Sequence, residues 1–241
     1  MNILIDAHIH TIASGHAFST VREIAGAAAA KGLKVIAITD HGPKMPGSCT
    51  YMHFLNLSSL PKTICGVEAL SGVELNILND SGEVDLKENI LKKLDVVIAS
   101  LHTTNIERGD ENYNTNALIN AMKNPYIKII GHPGDPRYPM DAEKLAEQAA
   151  ITGTAIEINE KSADPDSGIR SGGAEILKAL IRACVKHGTM MIMGGDSHYC
   201  DDVGCFENAE RLLKEENVPE SLILNYSVER FYEFIREPKN L

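Results

Sequence analysis

The chain has 241 residues, an ordinary hydrophobic fraction of 44%, few aromatic side chains, no tryptophan and a formal net charge of −10. That length suits one large α/β domain with an aliphatic core, and the acidic balance excludes a generic nucleic-acid groove, which needs a basic footprint. No apolar run approaches the ~20 residues that span a bilayer, and five scattered cysteines fit reduced thiols better than a disulfide framework.

Residues 2–7 read as a first strand with no basic or apolar leader before it, so export is not expected and a cytoplasmic location is. A helix is predicted over 19–31, opening on a Ser/Thr cap and stopping at Gly32, followed by a strand over 33–39. The stretch 43–62, rich in Gly, Pro, Ser and Cys, reads as a long loop or short helix over the strand ends. A strand over 66–76 leads to a turn at 79–82, a helix over 86–94 and a strand over 95–101. A helix over 114–123 and a strand over 126–131 come next. Asp141 caps a helix over 141–152 that stops at Gly153, and a strand over 154–159 follows. The last units are a helix over 173–187 stopping at Gly188, a strand over 189–195, and helices over 205–217 and 228–236, the latter capped by Ser227. No linker interrupts the pattern, so residues 1–241 read as one domain. Seven apolar strands alternating with helices predict a parallel sheet closed as a (β/α) barrel, whose C-terminal strand face carries the chemistry.

Metal-ligand residue types sit at the ends of six of those seven strands. His8 and His10 are two apart, so both point to one side of a strand and reach one ion. His41, Glu74, His102 and His132 mark the next four strands, and Asp196 and His198 repeat the two-apart arrangement at the last. Gathered at one barrel face, these residues make a multi-metal site. Glu74 lies in an apolar strand with no basic residue in GVELNIL, and buried charges pair or coordinate metal. His16 sits in a loop, where spacing alone does not assign it. His53 reads equally as a substrate contact, a partner of a ligand or a packed loop histidine. His187 ends a helix, where the dipole favours it, and is set aside. Cys200 and Cys205 lack the partner pair of a zinc–thiolate site, and the SGG at 171–173 reads as a turn or an anion contact. No nucleophile elbow, P-loop or dinucleotide fingerprint is present.

These motifs together resemble the PHP (polymerase and histidinol phosphatase) domain family. The matching stretches are DAHIHTIASGHAFST at 6–20, AITDHGP at 37–43, GVELNI at 72–77, HT at 102–103, IIGHPGDPRY at 129–138, EINE at 157–160 and GGDSH at 194–198. The resemblance is nearest the bacterial YcdX-type phosphatases. It implies a distorted (β/α)7 barrel, TIM-barrel-like, with three metal ions, usually zinc, at the C-terminal strand ends. Carried over by motif, His8, His10, Glu74 and Asp196 would hold the first ion. Glu74 would bridge to a second held by His102 and His132, and His16, His41 and His198 would hold the third. Ala7, Tyr51 and Met52 depart from the family pattern, the last two in the lining of the substrate pocket.

The implied activity is metal-dependent hydrolysis of a small phosphorylated substrate, with a metal-bound hydroxide as nucleophile and Glu74 and Asp196 at the reacting centre. The thiolate-free ligand set suits zinc, and also manganese or iron. Arg137 is the candidate phosphate clamp, since a guanidinium binds phosphate with two N–H groups. Lys44 and His53 are further candidate substrate contacts. The rival readings are a histidinol-phosphate phosphatase, a phosphodiesterase or nuclease, and a metal-binding scaffold without activity. No membrane or nucleic-acid partner is expected. Trimers occur in the resembling branch, which leaves a homo-oligomer open.

Overall fold

The computed structural model describes residues 2–239, so the first residue and the last two of the expected 1–241 domain lie outside the described residues. Seven parallel strands form the sheet in the order β1 (Ile5–Ile9), β2 (Val35–Ile38), β4 (Val67–Asn76), β5 (Val96–Ser100), β6 (Ile129–Ile130), β7 (Ala155–Asn159) and β8 (Met191–Gly194). β3 (Thr63–Ile64), an antiparallel hairpin arm on β4, follows directly on the stretch 43–62 read from sequence as a long loop or short helix. The helices are α1 (Val21–Ala30), α2 (Tyr51–Asn56), α3 (Glu88–Leu91), α4 (Glu111–Ala121), α5 (Ala142–Thr152), α6 (Glu160–Ala163), α7 (Gly173–His187), α8 (Glu207–Glu215) and α9 (Val228–Arg236). The expected (β/α)7 barrel is therefore observed. No helix among the described residues is long and apolar enough to cross a membrane.

The local signals behave as their chemistry dictates. Thr20 and Glu23 form a reciprocal capping box on α1. Asp141 caps α5, Ser227 caps α9, and Gly153 and Gly188 end α5 and α7 in the left-handed region. The strand expected over 126–131 contracts to Ile129–Ile130, because Ile127 N–H bonds back to Asn124 in a turn. The helix expected over 86–94 is the single turn of α3.

One buried cluster identifies the barrel interior, because all seven parallel strands contribute to it. It holds Ile5, Ala7, Val35, Ala37, Leu70, Val96, Ile98, Ile129, Ala155 and Ile192, closed below by Leu224, Phe231 and Ile235. Alternating strand residues face outward. Ile36 and Ile38 pack on α1 with Ile9, and Val97, Ala99, Ile156 and Ile158 join the larger helical layer. β1 breaks this alternation. Ile5 and Ala7 belong to the interior cluster but Ile9 to the outer one, and the register against β2 shifts between Asp6 and Ile9. The irregularity reverses the faces of the strand and aims His8 and His10 into the mouth of the barrel.

The barrel closes between β8 and β1 with little strand pairing. Near the mouth, Ile9 bridges Ser197, with His10 N–H on the Ser197 carbonyl at 2.9 Å. Lower down, the buried Asn225 side chain replaces the missing rungs. Its Nδ2 donates to the carbonyls of Ile5 (3.0 Å) and Met193 (2.9 Å), and its Oδ1 accepts from Met193 N–H at 2.7 Å. Asn225→Leu keeps the volume but strands those backbone groups in the interior. It should cost about 2–4 kcal/mol in urea unfolding. A loss below about 1 kcal/mol would show that the seam closes without it.

Candidate metal centre

The strand ends bring eight of the nine expected ligands into a buried or largely buried cluster around Glu74, whose carboxylate is fully buried. β4 delivers Glu74 to the centre of the mouth, where His41 bridges it from the end of β2. Glu74 Oε1 lies 2.9 Å from His132 Nε2, 3.2 Å from His102 Nε2 and 3.4 Å from His8 Nε2. Glu74 Oε2 lies 2.6 Å from His41 Nδ1 and 3.5 Å from His10 Nε2. Asp196 Oδ1 approaches from β8, 3.3 Å from His10 Nε2 and 3.8 Å from His8 Nε2. His198 stacks near His10 at 4.3 Å between ring centroids. His16, which no strand positions, stands exposed at the rim with its ring 4.9 Å from His41 and 4.8 Å from His198.

Hydrogen bonds behind four of the imidazoles, those of His8, His10, His102 and His198, decide which nitrogen they present. Glu157 Oε1 accepts from His8 Nδ1 at 2.6 Å, and its Oε2 accepts from His132 N–H at 2.6 Å. Ser14 Oγ donates to Asp40 Oδ1 at 2.7 Å, so at 3.1 Å it accepts from His10 Nδ1. Asn76 Oδ1 accepts from His102 Nδ1 at 2.7 Å, while its Nδ2 donates to Asp85 at 2.6 Å. The Asp196 carbonyl accepts from His198 Nδ1 at 2.9 Å. In each case Nδ1 carries a proton and Nε2 faces the cluster, the arrangement of a histidine ligand with a supporting acceptor behind it. Two glycines make room for these supports. A β carbon at Gly194 would stand 1.8 Å from Glu157 Oε1, and one at Gly42 would stand 2.4 Å from the Asp85 carboxylate.

The interior of the cluster fits a cation. Nε2 of His8, His10 and His102, Nδ1 of His41 and Oε2 of Glu74 are buried with no hydrogen-bond partner. Buried polar atoms are ordinarily satisfied, so five unsatisfied lone-pair donors facing one space form a coordination shell. Three overlapping groups have ligand atoms all within 4.8 Å of one another: His8, His10 and Glu74; His41, Glu74 and His102; His10, His41 and His198. His132 and Asp196 have backbone φ of +32° and +48°, costly for non-glycine residues and typical of functional sites.

The electrostatics favour ligand-competent charge states. Burial opposes ionisation of Glu74, but His102, His8 and His41 outweigh it and hold its pKa well below the ordinary range. Asp196 behaves alike, with Lys161, His10, His8 and Arg170 overcoming burial. Burial pulls the pKa of His10 and His102 down, and lowers His198 to about 4. His8 is the exception: burial pulls its pKa down, but Glu157 and Glu74 raise it well above the usual value.

The expected substrate contacts fall in different places. Arg137 is half-buried and binds Asp135 through Nε (2.9 Å) and Nη2 (2.5 Å), while Nη1 has no acceptor among the described residues. His53 Nε2 lies 3.2 Å from Asp40 Oδ2, which places it behind the Ser14–His10 pair. With Ser14 and Thr11 also bonding Asp40, burial is overcome and that carboxyl stays at about 2. Lys44 is exposed and only its backbone N–H is tied, to Asp85 at 2.9 Å. His187 pairs with Glu143 on an outer helix end, and Cys205 sits 3.0 Å from Lys31 Nζ on an outer loop. Sequence reasoning missed the supporting groups. Glu157 carried a readable signal, a carboxylate in the apolar strand AIEIN, the same signal that marked Glu74. Asp40, Asp85 and Arg170 carried none, since their partners come from distant loops.

The family model for the PHP domain matches residues 6–161. A probable phosphatase of Caldanaerobacter subterraneus subsp. tengcongensis is 48% identical over 240 residues, covering 99% of this chain and 93% of the relative. A probable phosphatase of Acetivibrio thermocellus is 44% identical over 239 residues, covering 99% and 98%. Among solved structures, the histidinol phosphate phosphatase of Lactococcus lactis subsp. lactis, complexed with zinc, L-histidinol and phosphate, shares the fold. Its TM-score is 0.63 at 19% identity, covering 89% of this chain and 94% of that one.

Glu157→Gln tests the support behind His8. An amide can donate to His8 Nδ1 and so favour the wrong tautomer. Zinc affinity, measured by competition with a chromogenic chelator, should fall about 10–100-fold. Unchanged affinity would remove Glu157 from the site.

Proposed function

The chain belongs to the PHP domain family, and on that premise we propose that it is a metal-dependent phosphatase acting on small phosphomonoesters at a three-ion, zinc-type centre. The observation that carries the reading is the ring of buried, unpartnered imidazole nitrogens around a fully buried glutamate. His8, His10, Glu74 and Asp196 would hold one ion, Glu74, His102 and His132 a second, and His16, His41 and His198 a third. Bound divalent ions supply Lewis-acid charge for phosphate oxygens and lower the pKa of water towards ~7.

The protein residues contribute the rest. Glu74 lies within 3.5 Å of five histidines, Oε1 near His8, His102 and His132 and Oε2 near His10 and His41, so histidines assigned to separate ions reach one carboxylate, as a bridging ligand requires. Arg137 keeps Nη1 free to bind a phosphate oxygen while Asp135 fixes the rest of the guanidinium. Lys161, 3.9 Å from Asp196 Oδ2, and Arg137, which shares Asp135 with Arg170, add positive charge beside the cluster in an otherwise acidic chain, and Lys44, three residues after His41, is a further candidate contact for an anionic ester. No protein nucleophile is required, in keeping with the lack of a serine or cysteine elbow.

Zinc- or manganese-loaded protein is expected to hydrolyse members of a phosphomonoester panel that includes histidinol phosphate, and a phosphodiester at least about 100-fold less efficiently. Inertness on the whole panel would overturn the reading, and preference for the diester would favour the nuclease-like rival. Glu74→Ala should lose at least two ions per chain by elemental analysis and about 1000-fold in kcat. Full metal retention in that variant would refute the bridge.

A further inference from the structure

The two oxygens of Asp196 face opposite ways. Oδ1 faces His8 and His10, and Oδ2 lies 3.2 Å from Nη2 of Arg170, a residue that comes from the loop before α7 and is itself buried. That guanidinium is fixed on its other sides. Nη1 donates to Asn159 Oδ1 at 2.5 Å and to Ser162 Oγ at 3.2 Å, and Nε stands 3.7 Å from Asp135 Oδ2. The Asp196 backbone is held as firmly in its left-handed conformation, because its carbonyl accepts from Lys161 Nζ at 2.5 Å and from His198 Nδ1. A strained residue keeps such a conformation only when its surroundings over-determine it.

We propose that Arg170 is a positioning residue that makes Asp196 a one-oxygen ligand. By occupying Oδ2 it would leave Oδ1 alone for an ion held with His8 and His10, and so would leave room there for water or substrate. A carboxylate free to rotate would present both oxygens to the same ion and close that position, whereas catalytic sites keep one open. A guanidinium suits the task because its planar fork fixes direction as well as charge, which a lysine ammonium does not. The inference rests on the metal-centre reading and not on the identity of the substrate.

Arg170→Lys and Arg170→Met, stripped of metal, would be titrated with zinc against a chromogenic chelator. Melting of the metal-free proteins would be followed in parallel, and kcat and KM measured at limiting and saturating manganese. In both variants one zinc ion should bind more tightly, through both oxygens of the released Asp196 carboxylate, and kcat should fall about 10–100-fold and stay low at saturating metal, while KM should hold. Unchanged zinc affinity with KM raised about tenfold would make Arg170 a substrate contact instead and overturn the proposal. Unchanged affinity with a lowered melting temperature alone would make it a structural residue, with the same consequence. If Arg170→Met does not fold, Arg170→Lys decides the question by itself. Because the zinc titration needs no turnover, its result stands even if the phosphatase reading fails.

Discussion

A carboxylate removed from water is stable only when positive charge or several donors reach it. Glu74 has no exposed surface, and five histidines lie within 3.5 Å of its two oxygens. Much of the barrel mouth follows from meeting that demand. β4 extends far enough to set Glu74 at the centre, and β1, β2, β5 and β6 each end with a histidine turned towards it. Neutral imidazoles do not by themselves neutralise the charge, and several of their inward nitrogens find no partner. The arrangement is balanced when cations occupy the space, so coordination and the stability of the mouth are one problem.

The outer hydrogen bonds are the second layer of the same solution. Glu157, the Asp40–Ser14 pair and the Asp85–Asn76 pair reach His8, His10 and His102 from behind, each fixing one tautomer. Glu157 also ties the backbone of His132, so one carboxylate links the ends of β1 and β6. Space for two of these supports comes from glycines in the ligand motifs themselves, Gly194 for Glu157 and Gly42 for Asp85. The apolar interior below the site, plugged by Phe231 and Ile235, gives the polar layer a rigid floor.

Much of the fold was legible because its signals are local. Apolar strand runs, the Thr20–Glu23 capping box, the Asp141 and Ser227 caps and the Gly153 and Gly188 stops all act within a few residues of themselves. The β3 hairpin arm and the seam residue Asn225 were not legible. β3 is two residues long, and Asn225 has a role only because β8 and β1, the last and first strands of the sheet, approach without pairing along their length. The break in β1 is of the same kind: DAHIH alternates perfectly as a sequence, and only the shifted register against β2 shows why the histidines face the mouth while Ile9 faces α1.

For the site, residue type and position were enough to mark His8, His10, His41, Glu74, His102, His132, Asp196 and His198, because a parallel barrel collects all its strand ends at one face. His16 needed the resemblance of its whole motif, since a loop residue has no strand to aim it. Tertiary structure alone decided which nitrogen His8, His10, His102 and His198 present, that Arg137 is held by Asp135, that His53 stands behind His10, and that Arg170 meets Asp196. The physical reason is range. Strand periodicity and ligand chemistry are written in consecutive residues, whereas a hydrogen bond between loops exists only after the barrel has brought distant segments within about 3 Å of each other.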